Sequence, residues 1–204
     1  MFMYQTREQW LEAAMSELSG VFQTLGDPLP DKIRVSCAFT SGGTRKKAGR
    51  SQIGECWDSS RSGDLAYEIM VSPEEDDPVR VIAILAHELC HAAAGLKCGH
   101  RGAFAVLARG LKLEGPLTAT VGGDAFKTMV KPIIAGLGAY PHAALDTSKR
   151  QKQGTRMLLC RCHAIVPATK TNPNGICGYA VRTTQRWLDV GVPHCPLHGA
   201  MDEV

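Results

Sequence analysis

Two histidines and a glutamate occur together in residues 86–91, Ala-His-Glu-Leu-Cys-His, within an apolar stretch that is typical of a helix. At about 3.6 residues per turn, His87 and His91 would lie about 40° apart around the axis and face the same side. Zinc binds neutral imidazole nitrogens in a near-tetrahedral shell, so both can hold one ion. Glu88 would flank the ion and accept a proton from water, whose pKa zinc lowers to about 7. The spacing therefore predicts a hydrolytic zinc site with Glu88 as general base.

The residues before and within this stretch favour a helix. Asp77 can cap its first turn, and Pro78 suits the first helical position. An apolar stripe at helical spacing follows, formed by Val81, Ile82, Leu85, Leu89 and Ala92. The alternative, a helix that carries two histidines by chance, is weakened by this context.

A catalytic zinc needs a third protein ligand and an open fourth position. The metzincin continuation of the motif is absent, since Ala94 and Lys97 stand where its glycine and third histidine would be. His100 is the predicted third ligand, at the start of the next helix, where a preceding glycine and a following apolar run would turn it back towards His87. Cys98 and Glu114 are the alternatives.

The elements that must position these side chains form an α+β domain. Residues 6–25 predict an amphipathic helix, and further helices are predicted from His100 to about 113 and from 124 to about 137. Residues 33–39, 52–57 and 66–71 alternate as strands do and predict a small antiparallel sheet before the metal-binding helix. Tyr140 and His142 follow the last helix and are candidate donors to an oxyanion, with packing or capping as the default role.

A second group of potential ligands follows a polar, basic segment that is typical of a linker, residues 145–156. We expect Cys162, Cys177, Cys195 and His198 to form a closed structural zinc site that stabilises a segment too small to fold on its own core. Cys160, His163 and His194 are possible substitutes, and scattered free cysteines are the alternative to a site.

Composition restricts the class of protein further. The chain of 204 residues is 44% hydrophobic, enough for one packed domain and a small module, and no stretch approaches the roughly 20 apolar residues of a membrane span. No signal peptide is evident at the N-terminus. Eight cysteines without an export signal favour reduced thiols and bound metal in the cytoplasm.

The net charge of +3 is distributed unevenly. From residue 145 onward eight basic residues face four acidic ones, whereas residues 1–144 carry fifteen against sixteen. A neutral domain with a basic module favours a nucleic-acid partner, although a solvated, charged surface would show the same balance. The candidate phosphate contacts lie in a glycine-rich loop and in the basic module: Arg45, Lys46, Lys47, Arg50, Arg156, Arg161, Arg182 and Arg186.

Several motifs together resemble the SprT-like, or Spartan-related, zinc metallopeptidases of bacteria and phages. The resemblance begins with HELCHAAAG and GHRGAF and includes IGECW (53–57), YEIMVSPEEDDP (67–78), LEGPLTATVGGDAF (113–126), YPHAAL (140–145) and CGYAVRTTQRWLDVGVPHCPLHGAM (177–201). It implies a zincin-like peptidase domain over 1–144, a basic linker over 145–156 and a zinc-ribbon-like module over 157–204. The chain departs from the family pattern at Arg101, at Ala103 and at Asn174, where the ribbon usually has a cysteine.

The resemblance also implies a function. His87, His91 and His100 would hold a catalytic zinc, and a second, structural zinc would lie in the ribbon. The substrate would be a protein associated with DNA or crosslinked to it, in a bacterial cell or a phage-infected host, with no membrane involved. If residues 67–71 form an edge strand, a peptide could pair with it across the cleft. The competing hypothesis is a zinc-containing, nucleic-acid-binding or transcription-associated protein with a non-catalytic scaffold.

Overall fold

The computed structural model describes residues 3–42, 52–149 and 157–203, and it has the predicted α+β class. The chain divides into two compact units, residues 1–149 and residues 150–204. The division falls within the segment predicted as a linker. None of the helices in the described part of the chain has the length and apolarity that crossing a bilayer requires.

The described part of the N-terminal unit contains four α-helices and five strands, in an order that places the sheet before the predicted metal-binding helix. The helices are α1 (Arg7–Thr24), α2 (Pro78–Ala94), α3 (Ala103–Gly110) and α4 (Asp124–Leu137). The strands are β1 (Ile33–Cys37), β2 (Gly54–Trp57), β3 (Tyr67–Val71), β4 (Leu113–Glu114) and β5 (Val121–Gly122). Short 3₁₀ turns occupy Ser59–Arg61, Leu96–Cys98 and Thr147–Lys149.

Helix α1 begins at a capping box and buries one apolar face. The Thr6 side chain accepts a hydrogen bond from the Gln9 backbone N–H, and the Gln9 side chain accepts one from the backbone N–H of Thr6. The buried face consists of Trp10, Leu11, Ala14, Leu18 and Phe22. It packs against β1, α2 and α4, so α1 closes one side of the core.

The first sheet has the order β1-β3-β2 and is mixed, so the prediction of an antiparallel sheet is wrong. Strand β2 pairs antiparallel to β3, with Gly54 opposite Val71, and β1 pairs parallel to β3, with Ile33 opposite Tyr67. The chain passes from β1 through β2 before it returns as β3, so β1 and β3 run in the same direction. Alternation along a strand reports which residues share a face and carries no information on the direction of its neighbours.

Strand β3 is the central strand, with both of its edges paired, which also makes the predicted role of residues 67–71 as an edge strand wrong. Its apolar side chains explain the central position, since Ile69 and Val71 are fully buried. Among the described strands of this sheet, β1 and β2 are the edges. Strand β2 is the edge next to α2.

Helix α2 occupies the centre of the unit. The Asp77 side chain accepts a hydrogen bond from the Arg80 backbone N–H at 3.1 Å, and Pro78 takes the first turn, which confirms the predicted start. Gly95, with φ of +75°, ends the helix and turns the chain away. The helix packs against α1, α3, α4 and strands β2 and β3, so most of its circumference is buried.

Helix α3 begins later than predicted. Gly99 and Gly102 adopt φ of +54° and +52°, so the chain bends twice before α3 starts at Ala103. His100 therefore lies in the loop between the two bends rather than at the start of the helix. Lys112, with φ of +62°, separates the end of α3 from β4, which shortens the helix relative to the prediction.

The C-terminal unit is made of short strands around a few buried cysteines. Its sheet has the order β10-β6-β7, with β6 (Leu158–Arg161) central, β7 (Ala180–Thr183) and β10 (Asp202–Glu203). A single-turn helix α5 (Gln185–Leu188) leads to the hairpin of β8 (His194–Cys195) and β9 (Gly199–Ala200). Its fully buried apolar cluster comprises only Cys160, Cys162, Cys195 and Met201 in the described part. A core of this size is too small to stabilise a fold without further crosslinks.

Trp10 is the largest fully buried side chain of α1, and its indole N–H donates to the Gly138 carbonyl at 3.2 Å. We expect Trp10→Ala to lower the free energy of unfolding of the N-terminal unit by about 3–5 kcal/mol, because it leaves a cavity and an unpaired carbonyl. Urea denaturation of the full chain, followed by far-UV circular dichroism, measures this loss. Glu12→Ala on the exposed face of α1 is the control, and an equal effect of both variants would contradict the packing described.

Candidate functional site

Three imidazoles meet at the side of α2 that faces the cleft. His87 and His91 lie one turn apart on α2, and His100 reaches them from the loop bent by Gly99 and Gly102. One nitrogen of each ring lies within 4.8 Å of one nitrogen of each of the others. The Nε2 atoms of His91 and His100 are 3.2 Å apart. Two nitrogens bound to one zinc at about 2.05 Å with a tetrahedral angle would be roughly 3.3 Å apart, so the cluster fits a single ion.

Burial keeps these rings neutral. Desolvation first, and then the charge of the neighbouring imidazoles, lowers the pKa of His87 to about 3 and that of His91 to about 4. Desolvation lowers the pKa of His100 as well. A neutral imidazole offers the lone pair that a metal needs, whereas a protonated one repels the ion. At neutral pH the cluster is therefore in its ligand form.

Phe104 forms an apolar base beneath the cluster, a role that the sequence predicted only as core packing. Its ring centroid lies 4.4 Å from that of His91, 5.0 Å from that of His87 and 4.9 Å from that of His100. The ring is fully buried at the second position of α3. Packing against all three imidazoles restricts their rotation.

The outer nitrogens of the two α2 histidines differ in their surroundings. His87 Nδ1 lies 2.8 Å from the Thr120 hydroxyl oxygen. His91 Nδ1 is buried and has no hydrogen-bond partner in the described structure. Thr120 was not singled out from the sequence, since contact between β5 and α2 is tertiary and leaves no local signal.

Glu88 lies beside the imidazoles with its carboxylate buried. It is 7% exposed and lines the cleft, and burial first, then the charge of Glu55, raises its pKa to about 8. A divalent cation on the imidazoles would lower this pKa, because it favours the ionised carboxylate. The described residues donate no hydrogen bond to it. A carboxylate in this position is available to a proton donor that enters from the cleft.

Gly54 of β2 makes room for that carboxylate. A Cβ atom built at Gly54 would lie 2.4 Å from Oε1 of Glu88 and 2.7 Å from Cγ2 of Ile84. These distances are well inside van der Waals contact, so only glycine allows α2 to approach the β2 backbone this closely. Gly54 is the second residue of the site that sequence analysis did not identify, although it lies within the IGECW segment.

The cleft above the cluster has a volume of about 790 Å³. Its walls are β2 with the residues before it, the cleft-facing side of α2, the loop with Leu96 and His100, and residues 118–120. A second depression of about 500 Å³ shares Glu55, Cys56 and Leu96 with the first and extends to Trp57. The two together form a groove that follows β2 and passes the imidazoles.

The alternative third ligands lie outside the cluster. Cys98 is half-buried, and its thiol donates to the Gly95 carbonyl at 3.1 Å. The Glu114 carboxylate lies against the Gly123 backbone at the start of α4. Of the three candidates, His100 alone has a ligand atom among those of His87 and His91.

The two residues considered as oxyanion donors do not line the cleft. Tyr140 is 4% exposed and packs edge-on against Trp10 with ring centroids 5.0 Å apart. His142 Nε2 lies 3.2 Å from the Gln5 carbonyl oxygen, near the start of α1. Neither is among the residues that line the cleft, so the packing role expected by default applies.

A second ligand cluster lies in the C-terminal unit and comprises Cys162, Cys177, Cys195 and His198. His198 Nδ1 lies 3.5 Å from the sulfurs of Cys162 and Cys195, and the sulfurs of Cys177 and Cys195 are 3.9 Å apart. A tetrahedral zinc has bonds of about 2.3 Å to sulfur and about 2.05 Å to nitrogen. Such a site would place a nitrogen and a sulfur roughly 3.6 Å apart and two sulfurs roughly 3.8 Å apart. The four ligand atoms therefore match a closed tetrahedral site.

The backbone around Cys195 favours the thiolate form that binds a metal. Hydrogen bonds to Cys195, first from the Leu197 backbone N–H, lower the pKa of its thiol to about 6. Gly178 follows Cys177 with φ of +67°, a conformation that favours glycine. The proposed substitutes are not in the cluster: Cys160 is buried in the β6 core, and His163 and His194 are exposed.

The predicted phosphate contacts are only partly described. Arg161 and Arg182 lie on the same face of the β6–β7 sheet, opposite Ala180 and Leu159 respectively, and both are exposed. Asp202 of β10 is opposite Arg161 on that face and offsets its charge. Arg186 of α5 stacks on the exposed Trp187 ring at 5.5 Å. The remaining candidates lie outside the described residues: Arg45, Lys46, Lys47, Arg50 and Arg156.

Comparison with known proteins adds no relative. No family model matches the chain, and neither a curated protein nor a solved structure matches it. A function has to be argued from the geometry of the two clusters and from the sequence motifs.

The two clusters predict two independent metal ions. We expect the purified chain to bind about two equivalents of zinc, and His91→Ala and Cys195→Ser each to bind about one, because each variant removes one ligand from a different cluster. Elemental analysis after dialysis measures the content. Cys37→Ser changes a cysteine outside both clusters and should retain two equivalents; a loss of both ions in either ligand variant would contradict two separate sites.

Proposed function

We propose that this chain is a zinc-dependent metalloendopeptidase of the SprT-like type. Its N-terminal unit would be a zincin-like peptidase domain, and its C-terminal unit a zinc-ribbon-like module. The observation that carries the proposal is the buried Glu88 carboxylate beside three neutral imidazoles, in a groove that follows a strand edge. Three ligands leave one position of a tetrahedral ion open, which is the arrangement of catalytic zinc sites.

The residues of the site have separate tasks in this mechanism. His87, His91 and His100 would hold a zinc ion, which supplies Lewis acidity that polarises a carbonyl and lowers the pKa of water to about 7. Glu88 accepts the proton of the attacking water and then transfers it to the leaving amine. Burial places this proton transfer in a site of low dielectric, where the charge interactions are strong.

The free edge of β2 supports an extended peptide as substrate. In the described part of the chain, the outer edge of β2 has no strand partner, and the groove runs along it. A peptide that pairs with β2 would pass over the imidazoles, and main-chain hydrogen bonds would demand little of its side chains. Cleavage with low sequence specificity follows from this mode of binding.

The C-terminal unit would direct this activity to proteins on DNA. Its net charge is positive, whereas that of the rest of the chain is slightly negative, with Arg161 and Arg182 on one exposed face and Arg186 beside the exposed Trp187. Basic side chains bind phosphates, and an arginine next to an aromatic ring suits an unstacked base. The substrate class that we propose is protein bound or crosslinked to DNA, and the compartment is the cytoplasm.

The competing function is a nucleic-acid-binding protein whose N-terminal unit is an inert zinc scaffold. The basic C-terminal unit alone would serve either function. Glu88 distinguishes the two functions, because a purely structural ion needs no base beside it. A buried carboxylate that accepts no hydrogen bond from the described residues is also costly. The geometry therefore favours the peptidase.

Glu88→Gln tests the proposal. We expect it to retain two equivalents of zinc but to lose about 10²–10⁴-fold in the rate of DNA-stimulated cleavage, because the amide cannot accept the proton. The assay follows cleavage of a DNA-bound protein, and of the chain itself, with single- and double-stranded DNA. Glu17→Gln on the exposed face of α1 is the control for loss of one negative charge. If wild type and Glu88→Gln are equally inert while both bind DNA, the scaffold function is correct.

Gly54→Ala tests whether the approach of α2 to β2 sets the position of the base. The added methyl overlaps the Glu88 carboxylate, so we expect the cleavage rate to fall about tenfold or more with zinc content unchanged. Gly20→Ala is the matched control, since a Cβ atom there meets no atom within 4 Å. Equal cleavage rates for Gly54→Ala and wild type would show that the position of Glu88 tolerates this displacement.

A further inference from the structure

Thr120 makes a partly buried hydrogen bond to Nδ1 of His87, the nitrogen of that ring that points away from the imidazole cluster. Its hydroxyl oxygen lies 2.8 Å from His87 Nδ1, and the residue is 8% exposed. It belongs to the segment just before β5, which is distant in sequence from α2 and packs against it. The bond therefore joins two elements that are brought together only by the fold.

We propose that Thr120 is a positioning residue for the metal centre, which holds His87 in the tautomer and ring orientation that bind the ion. The inference rests on the function proposed above and concerns a residue that does not touch the ion. A neutral imidazole carries one N–H; when Nδ1–H donates to the Thr120 oxygen, the lone pair is on Nε2, which faces the other ligands. With the proton on Nε2 instead, His87 could not coordinate.

The segment that carries Thr120 is itself held by α2. The Thr120 carbonyl oxygen accepts a hydrogen bond from Arg80 Nη1 at 3.4 Å. Arg80 precedes His87 by seven residues, or about two turns, so both lie on the same side of α2. Pairing of Val121 with Glu114 fixes the other end of the segment. The hydroxyl is thus placed by two attachments that do not depend on the metal.

The other α2 histidine shows what this contact adds. His91 Nδ1 is buried but has no partner among the described residues, so its tautomer is set only by the atoms on its Nε2 side. Of the two histidines on α2, His87 alone has an outer hydrogen-bond partner. Loss of such a partner typically weakens metal binding about 10–100-fold. Among the described residues, Thr120 is therefore the position at which a hydroxyl deletion tests this support.

Thr120→Val removes the acceptor while keeping the shape of the side chain. The test is the zinc affinity of the full chain, measured by competition with a chromophoric chelator. The binding phase that disappears in His91→Ala is assigned to the N-terminal site. In Thr120→Val the dissociation constant of that phase should rise about 10–100-fold, while the other phase is unchanged. Thr120→Ser should restore wild-type affinity. Thr128→Val removes an exposed hydroxyl of α4 that does not line the cleft; it is the matched control and should bind as wild type does.

A spectroscopic measurement on the wild-type chain gives an independent test. With ¹⁵N-labelled histidine, we expect metal-free His87 to be protonated at Nδ1, and Thr120→Val to shift its proton towards Nε2; a structural effect of the mutation would not exchange the tautomers. Protonation of wild-type His87 at Nε2 would overturn the inference, even if Thr120→Val failed to fold. Unchanged affinity in Thr120→Val with a His91-dependent phase present would overturn the role of Thr120 and leave the metal centre intact. If the wild-type chain lacks the His91-dependent phase, both the role of Thr120 and the proposed metal centre are overturned.

Discussion

The burial of α2 on nearly all sides is the constraint on which the rest of the structure depends. A helix packed against β2, β3 and three other helices cannot rotate without losing contacts on every side. It therefore presents His87, Glu88 and His91 in one fixed direction. The same burial removes these groups from water, which lowers the pKa of the imidazoles and raises that of the carboxylate. Burial of α2 thus sets both the positions of these three side chains and their protonation states.

This burial leaves a cluster of polar groups that the protein does not satisfy by itself. The Nε2 atoms of His91 and His100 have only each other as partners, at 3.2 Å, and no described residue donates to the Glu88 carboxylate. A carboxylate removed from water without a donor is costly, and a single cation bound by the three imidazoles would favour its ionised form. The C-terminal site differs in both its number of ligands and the size of the core around it. Four ligands close that site, and they lie in a unit with almost no core, where a metal would supply the stability that packing does not.

The parts of this arrangement that could be predicted are those set by local periodicity and capping. Helical spacing places His87 and His91 on one side of α2, and Asp77 marks where that helix begins. Pairing between distant segments could not be read from these patterns. The parallel alignment of β1 with β3 depends on the route of the chain, and the approach of Gly54 to Glu88 depends on packing of β2 on α2. The contact of Thr120 with His87 likewise depends on tertiary packing and could not be predicted from the sequence.

Loop geometry accounts for the error at His100. The sequence placed it at a helix start, since glycine before and an apolar run after are typical of one. The left-handed conformations of Gly99 and Gly102 instead carry the chain back towards α2 before α3 begins. A ligand on such a loop owes its position to two backbone bends and to the contact of its ring with Phe104. The two glycines are visible in the sequence, but their torsion angles depend on the return of the chain to α2 and could not be predicted from it.

The energetic state of Glu88 bears on the choice between an enzyme and a scaffold. A pKa near 8 means that the folded chain without metal disfavours the ionised carboxylate at neutral pH, because the same group would ionise near pH 4.5 in the unfolded chain. A leucine or glutamine at this position would avoid that cost and leave all three imidazoles in place. The carboxylate is therefore a local loss of stability in a unit that is otherwise well packed. Losses of this kind concentrate at functional sites, where the destabilised group is the one that reacts.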